Sequence, residues 1–180
     1  RPRGAPRRPA APPAAGEGGS GIRGEFGLSN FQDGLVFSIF MVGMLVGSPV
    51  FAQLCKTLDA LRLIAFGLTC WSAATIGCAI APSYAVLLLA RSLVGLGEAS
   101  FVCLAAPFID DAAPPAQKSS WLAAFYMMIP VGVASGFILG EALGEPLGWR
   151  APFVAESVAM WPFAAFCWLA PTVRMGGMGG

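Results

Sequence analysis

The chain has no histidine, which removes the commonest general base and the commonest metal ligand near neutral pH. Charge is also scarce. Only 12% of the 180 residues are charged, against about 25% in an ordinary soluble domain. The formal net charge of +1 is too small to recruit nucleic acid by bulk electrostatics. Asn30 is the only asparagine, and no x-Ser/Thr follows it, so there is no glycosylation acceptor. The five cysteines (Cys55, Cys70, Cys78, Cys103 and Cys167) include no CxxC pair; four lie inside apolar runs and Cys55 closes one. They read as small buried hydrophobes rather than ligands or redox pairs. This inventory points to no metal and no cofactor.

Apolar residues are what the chain has in abundance: 56% of it, with a mean hydropathy of +0.69. They fall into five runs, at residues 33–55, 61–81, 84–109, 120–143 and 149–170. Each approximates the ~20 residues that cross ~30 Å of hydrocarbon as a helix. None alternates in the period-two manner of a membrane β-barrel strand. A helix satisfies every backbone polar group within its own segment, so an all-α integral membrane bundle of about five transmembrane helices is expected. The breaks between runs are short, which makes neighbours antiparallel and the protein multi-pass. Residues 1–24 are rich in Arg, Pro, Ala and Gly. They are expected to form a disordered tail ahead of a transmembrane domain at 25–175.

Orientation follows the lysines and arginines. Lys56, Arg62, Lys118 and Arg174 fall on one side and Arg150 alone on the other, so the first side is expected to be cytoplasmic. The tail breaks the pattern by leaving Arg1, Arg3, Arg7, Arg8 and Arg23 on the far side. Either a further helix once preceded the first run, or the tail is foreign to the original design.

Three ionisable side chains interrupt the apolar runs. Arg91 and Glu98 share the third run, seven residues apart, so they point the same way at a separation of roughly 10 Å along the axis. Glu156 lies in the fifth. A charge at mid-membrane costs about 2.5–3.5 kcal/mol on insertion scales, so such groups face a cavity or one another. Two readings follow. In one, Arg91 attracts an anion and Glu98 carries a proton or tunes the site. In the other, both are structural partners of charges on neighbouring helices. Glu141 sits near a helix end and can reach water. In the fourth run, Pro130, Gly132, Gly136 and Gly140 place small residues on one helix face. The stripe suits either static close packing or a sliding contact, with Pro130 as a kink. Pro49, Pro107 and Pro162 offer further kinks.

At this point the motifs become specific. Arg91-Ser-Leu-Val-Gly95-Leu-Gly97-Glu98-Ala-Ser100 resembles the RxxxGxGEAS stretch of the spinster-like branch of the major facilitator superfamily. The segments 105–111 (AAPFIDD), 124–140 (AFYMMIPVGVASGFILG), 31–34 (FQDG) and 148–150 (GWR) are similar to that family too. The resemblance covers residues 29–172. It implies that the five runs are the second to sixth helices of a twelve-helix transporter, part of its N-terminal half. It also implies a lipid-like or small organic solute, such as a lysolipid, moved by alternating access with ion or proton coupling. Arg91 and Glu98 then take substrate or coupling roles, with Glu156 and Asp110 as further candidates. Gly95, Gly97, Pro130, Gly132, Gly136 and Gly140 take packing or gating roles. The expected partners are membrane lipids, the solute and the missing transporter half, with no nucleic acid.

One loop departs from the superfamily pattern: in residues 52–62 (AQLCKTLDALR), Lys56 stands where an acidic residue is usual. The first helix and the second half are absent from the resemblance, so the chain is expected to be incomplete and, alone, not to transport. The alternative is a short, non-transporting membrane protein that modulates a full-length relative. An intramembrane enzyme is a third class, because Ser135-Gly136 resembles the serine motif of rhomboid-type proteases. Val133 stands where that motif wants glycine, and no histidine partner exists.

Overall fold

A computed structural model describes residues 21–171. Its helices are α1 (Ile22–Phe26), α2 (Asn30–Leu54), α3 (Ala60–Ala79), α4 (Tyr84–Ala112), α5 (Lys118–Leu147) and α6 (Arg150–Leu169). The last five are each long and apolar enough to cross a membrane, and they match the five apolar runs. Most of the expected tail, residues 1–20, lies outside the described residues, as does Arg174. Its final residues 22–24 belong to the short helix α1, which Gly27 ends at φ 59°, a left-handed conformation that suits glycine.

Local chemistry sets the helix starts. Ser29 and Gln32 form a reciprocal capping box at α2: the Gln32 amide donates to Ser29 Oγ at 3.3 Å, and the Ser29 amide donates to the Gln32 side chain at 3.0 Å. Ser83 accepts from the Val86 amide at the head of α4.

Helix α4 is the centre of the bundle, packed against α2 on one side and α3 on the other, while α6 packs on α3. Small residues make these contacts close. A Cβ on Gly95 would fall on the Phe40 carbonyl of α2, and one on Gly43 would fall on the Ser92 carbonyl of α4. Across the other face of α4, Gly67 and Gly97 meet, with Ser100 filling the space beside Gly67. Two backbones approach closely here because the glycines present no side chain, the general device of membrane helix pairs. Helix α3 meets α6 through a buried bond: Ser157 Oγ donates to the Ser72 carbonyl at 2.9 Å. Removing it with Ser157→Ala is expected to cost about 0.5–1.5 kcal/mol, read as a lower melting temperature in detergent with the helical content unchanged.

Helix α5 differs. None of its residues is buried, and its main contacts are with α4 and α6. At Gly132, Gly136 and Gly140 an added Cβ would meet nothing within 4 Å. The expected packing stripe is therefore unoccupied among the described residues, while Gly95 and Gly97 sit in tight crossings. Gly43, Gly47 and Gly67, which sequence reasoning passed over, complete those crossings.

The two ends of the bundle are tied differently. At the end carrying Lys56, Arg62 donates to the Trp168 carbonyl at 2.8 Å, the Trp168 indole donates to Thr69, and Lys118 pairs with Asp110 at 3.2 Å. At the opposite end Arg150 is a staple. It donates to the Ala79 and Ala81 carbonyls at the end of α3 and forms a two-point pair with Glu25 at 2.7 and 2.9 Å. The Trp149 indole also donates to Glu25, at 2.7 Å. Arg150 holds the Glu25 carboxyl below its ordinary value of 4.5, and Trp149 adds to the shift. A carboxyl with a depressed folded value stabilises above its unfolded value and loses that contribution as pH falls through the folded one. Amide protection factors at residues 22–27 are therefore expected to hold at neutral pH and to fall below about pH 4.5. Glu25→Gln should remove that pH step.

Candidate functional site

Side chains from α2, α3, α4 and α6 line a half-open cavity of about 310 Å³. Its walls are apolar and aromatic: Phe37 and Phe40 from α2, Trp71 from α3, Val94 from α4 and Phe153 from α6. Its polar content is Thr75, Arg91, Glu98 and Glu156. The placement follows from helix geometry. Arg91, Val94 and Glu98 are three and four residues apart and share one face of α4, while Phe153 and Glu156 share one face of α6. The structure thus brings Arg91 and Glu98 into one cavity and adds Glu156 from a separate helix. Asp110 is not among them. It lies at the far end of α4, paired with Lys118.

Within the cavity the three charges are not locked together. Among the described residues Arg91 makes no ion pair, and its Nε is buried without a hydrogen-bond partner. Its guanidinium lies over the Phe153 ring instead, 4.7 Å from the centroid. Glu156 is near enough to feel the charge of both Arg91 and Glu98, and Trp71 lines the same cavity. Glu156 also borders a second groove, where α6 faces the glycine stripe of α5 at Gly132, Gly136 and Gly140. Ser135 Oγ, the residue of the protease-like motif, donates to the Val131 carbonyl of its own helix at 2.8 Å. No group of three or more metal-ligating side chains occurs among the described residues.

Sequence reasoning did not single out Trp71, Thr75 or Phe153. The spacing of Phe153 and Glu156, three apart on an otherwise apolar helix, was the available signal for Phe153. Trp71 and Thr75 carried none, since an aromatic and a threonine one turn apart read as ordinary core.

Five helices long and apolar enough to cross a membrane, four of them lining a charged, apolar-walled cavity, define a multi-pass membrane protein. The Major Facilitator Superfamily model matches residues 18–175, and the chain belongs to that family. It is 51% identical over 159 residues to the "Probable sphingolipid transporter spinster homolog 2" of Arabidopsis thaliana, covering 88% of this chain and 33% of that protein. It is 52% identical over 151 residues to "Probable sphingolipid transporter spinster homolog 1" of the same plant, covering 83% and 31%. A more distant relative is the mouse "Sphingosine-1-phosphate transporter SPNS2", 31% identical over 129 residues, covering 71% and 24%. The chain spans about a third of the length of the plant relatives it matches.

Proposed function

We propose that the chain forms five helices of the N-terminal half of a spinster-like transporter. The complete protein moves a lipid-like solute, of the sphingolipid or lysolipid class, by alternating access with proton or ion coupling. The observation that carries this reading is the cavity: an unpaired membrane-embedded cation, two carboxylates and an aromatic wall in one space. An amphipathic solute needs the same combination, a charged head held by Arg91, Glu98 or Glu156 and an apolar body against Phe37, Phe40 and Phe153. Asp110 and its partner Lys118 serve the end of the bundle rather than the cavity. The open glycine face of α5 suits docking of the missing half.

The same open face favours a second reading, a short membrane protein that uses Gly132, Gly136 and Gly140 to bind and modulate a full-length relative. An antibody to the 110–120 loop (DDAAPPAQKSS), used on membrane fractions, separates the two. A native band at more than twice the chain's 18.6 kDa supports the transporter. A band near 18.6 kDa puts the modulator ahead.

A further inference from the structure

An arginine inside a membrane normally secures itself with a carboxylate or with backbone carbonyls, because its donors are costly to leave unpaired. Arg91 does neither among the described residues. Its guanidinium carbon lies over the Phe153 ring, 4.7 Å from the centroid, although Glu98 and Glu156 line the same cavity. No hydrogen bond from its donors occurs among the described residues, and Nε is buried without a partner. Those donors form the planar fork that grips an anionic group at two points.

Phe153 is itself held. Its ring stands edge-on to Trp149, with centroids 6.1 Å apart and planes at 84°. Trp149 is pinned in turn by its hydrogen bond to Glu25 and by the Arg150 guanidinium over its ring at 4.5 Å. A rigid aromatic pair thus runs from the stapled end of the bundle into the cavity and stops at Arg91.

We propose that Phe153 is a positioning residue for Arg91: its ring holds the guanidinium by a cation–π contact, so that the edge of the fork faces the cavity undiverted by the neighbouring carboxylates. The proposal rests on the reading of Arg91 as a solute-binding group, and its test is separate from transport.

The test replaces Phe153 with phenylalanines bearing one, two and three ring fluorines, introduced by nonsense suppression in the full-length protein. Fluorine keeps the ring's shape and drains the negative face that attracts a cation. The readout is the rate at which phenylglyoxal modifies Arg91, followed by mass spectrometry, with Arg62 as the internal reference. The expected result is a stepwise rise in Arg91 reactivity, reaching roughly fivefold with three fluorines, while Arg62 does not change. Phe153→Tyr should behave as the parent and Phe153→Leu as the trifluoro variant. A flat Arg91 rate across the fluorine series would overturn the proposal, whatever Phe153→Leu does to folding. Solute uptake, measured on the same protein, reports independently. A graded Arg91 rate with no uptake in the parent defeats the transport reading and leaves the positioning role standing, and uptake with a flat rate does the reverse.

Discussion

Gly95→Val is expected to destroy the bundle, whereas Gly136→Ala is expected to leave it intact. The two glycines sit in adjacent membrane helices and look equivalent as letters in a sequence. At Gly95 any Cβ lands on the Phe40 carbonyl, so the valine can enter only if α2 and α4 move apart. Overpacking a close contact ordinarily costs about 1–3 kcal/mol. Here the obstacle is backbone that has no rotamer to change, and the crossing is the main contact between α2 and α4. A cost of about 4 kcal/mol or more is expected, in the range reserved for severe core damage. Gly67→Val should fail similarly, since its Cβ would overlap the Ser100 side chain and approach the Gly97 carbonyl. At Gly136 nothing lies within 4 Å, and replacing a mid-helix glycine with alanine is worth about 0.5–1 kcal/mol in the favourable direction. Thermal denaturation in detergent, followed by the loss of a monodisperse peak, measures all three. Equal melting temperatures for Gly95→Val and Gly136→Ala would refute the packing described here.

In a polypeptide of the length of the relatives, Arg91→Ala and Glu98→Gln are each expected to lower solute uptake by roughly tenfold or more. The amount of protein in the membrane should hold or rise. The two expectations have one cause. Each charge costs about 2.5–3.5 kcal/mol to keep in the membrane on insertion scales, so neutralising it relieves the fold. Losing activity while gaining stability is the mark of groups that serve function rather than architecture. Glu98→Gln keeps the shape and a hydrogen-bonding side chain, and it removes only the charge and the exchangeable proton. Its loss of uptake should therefore come with a flattened pH dependence, while Arg91→Ala weakens apparent solute affinity. Unchanged, still pH-dependent uptake in both variants would remove their assigned roles.

Features whose cost is local are legible in the sequence. A helix that crosses a membrane must be apolar along its own length, so the five runs and their up-and-down order can be read directly. A charge in such a run is expensive wherever it lies, so Arg91, Glu98 and Glu156 stand out from the residue order alone. Pairings between distant segments are not legible. Glu25 meets Arg150 across 125 residues, and nothing beside Glu25 in the chain marks it. The glycines illustrate the limit best. Gly43 and Gly47 have the same four-residue spacing as Gly132 and Gly136, yet the first pair sits in a helix crossing and the second borders open space. Spacing shows that a face can be approached closely; whether a helix lies there depends on the rest of the bundle. Phe153 is hidden for the related reason that an aromatic in an apolar helix is unremarkable until the cation above it is seen.

The central claim is that the Arg91–Glu98 face of α4 borders a water-accessible cavity while the opposite face meets lipid. Thiol accessibility tests this most directly, in a full-length protein whose native cysteines have been replaced. Val94→Cys lies one turn from both charges on the cavity wall, and Leu89→Cys lies on the outer surface of the same helix, where the leucine is 66% exposed. A charged thiol reagent that cannot enter hydrocarbon should label Val94→Cys and spare Leu89→Cys, with solute slowing the first reaction. Labelling of Leu89→Cys with protection of Val94→Cys would contradict the account.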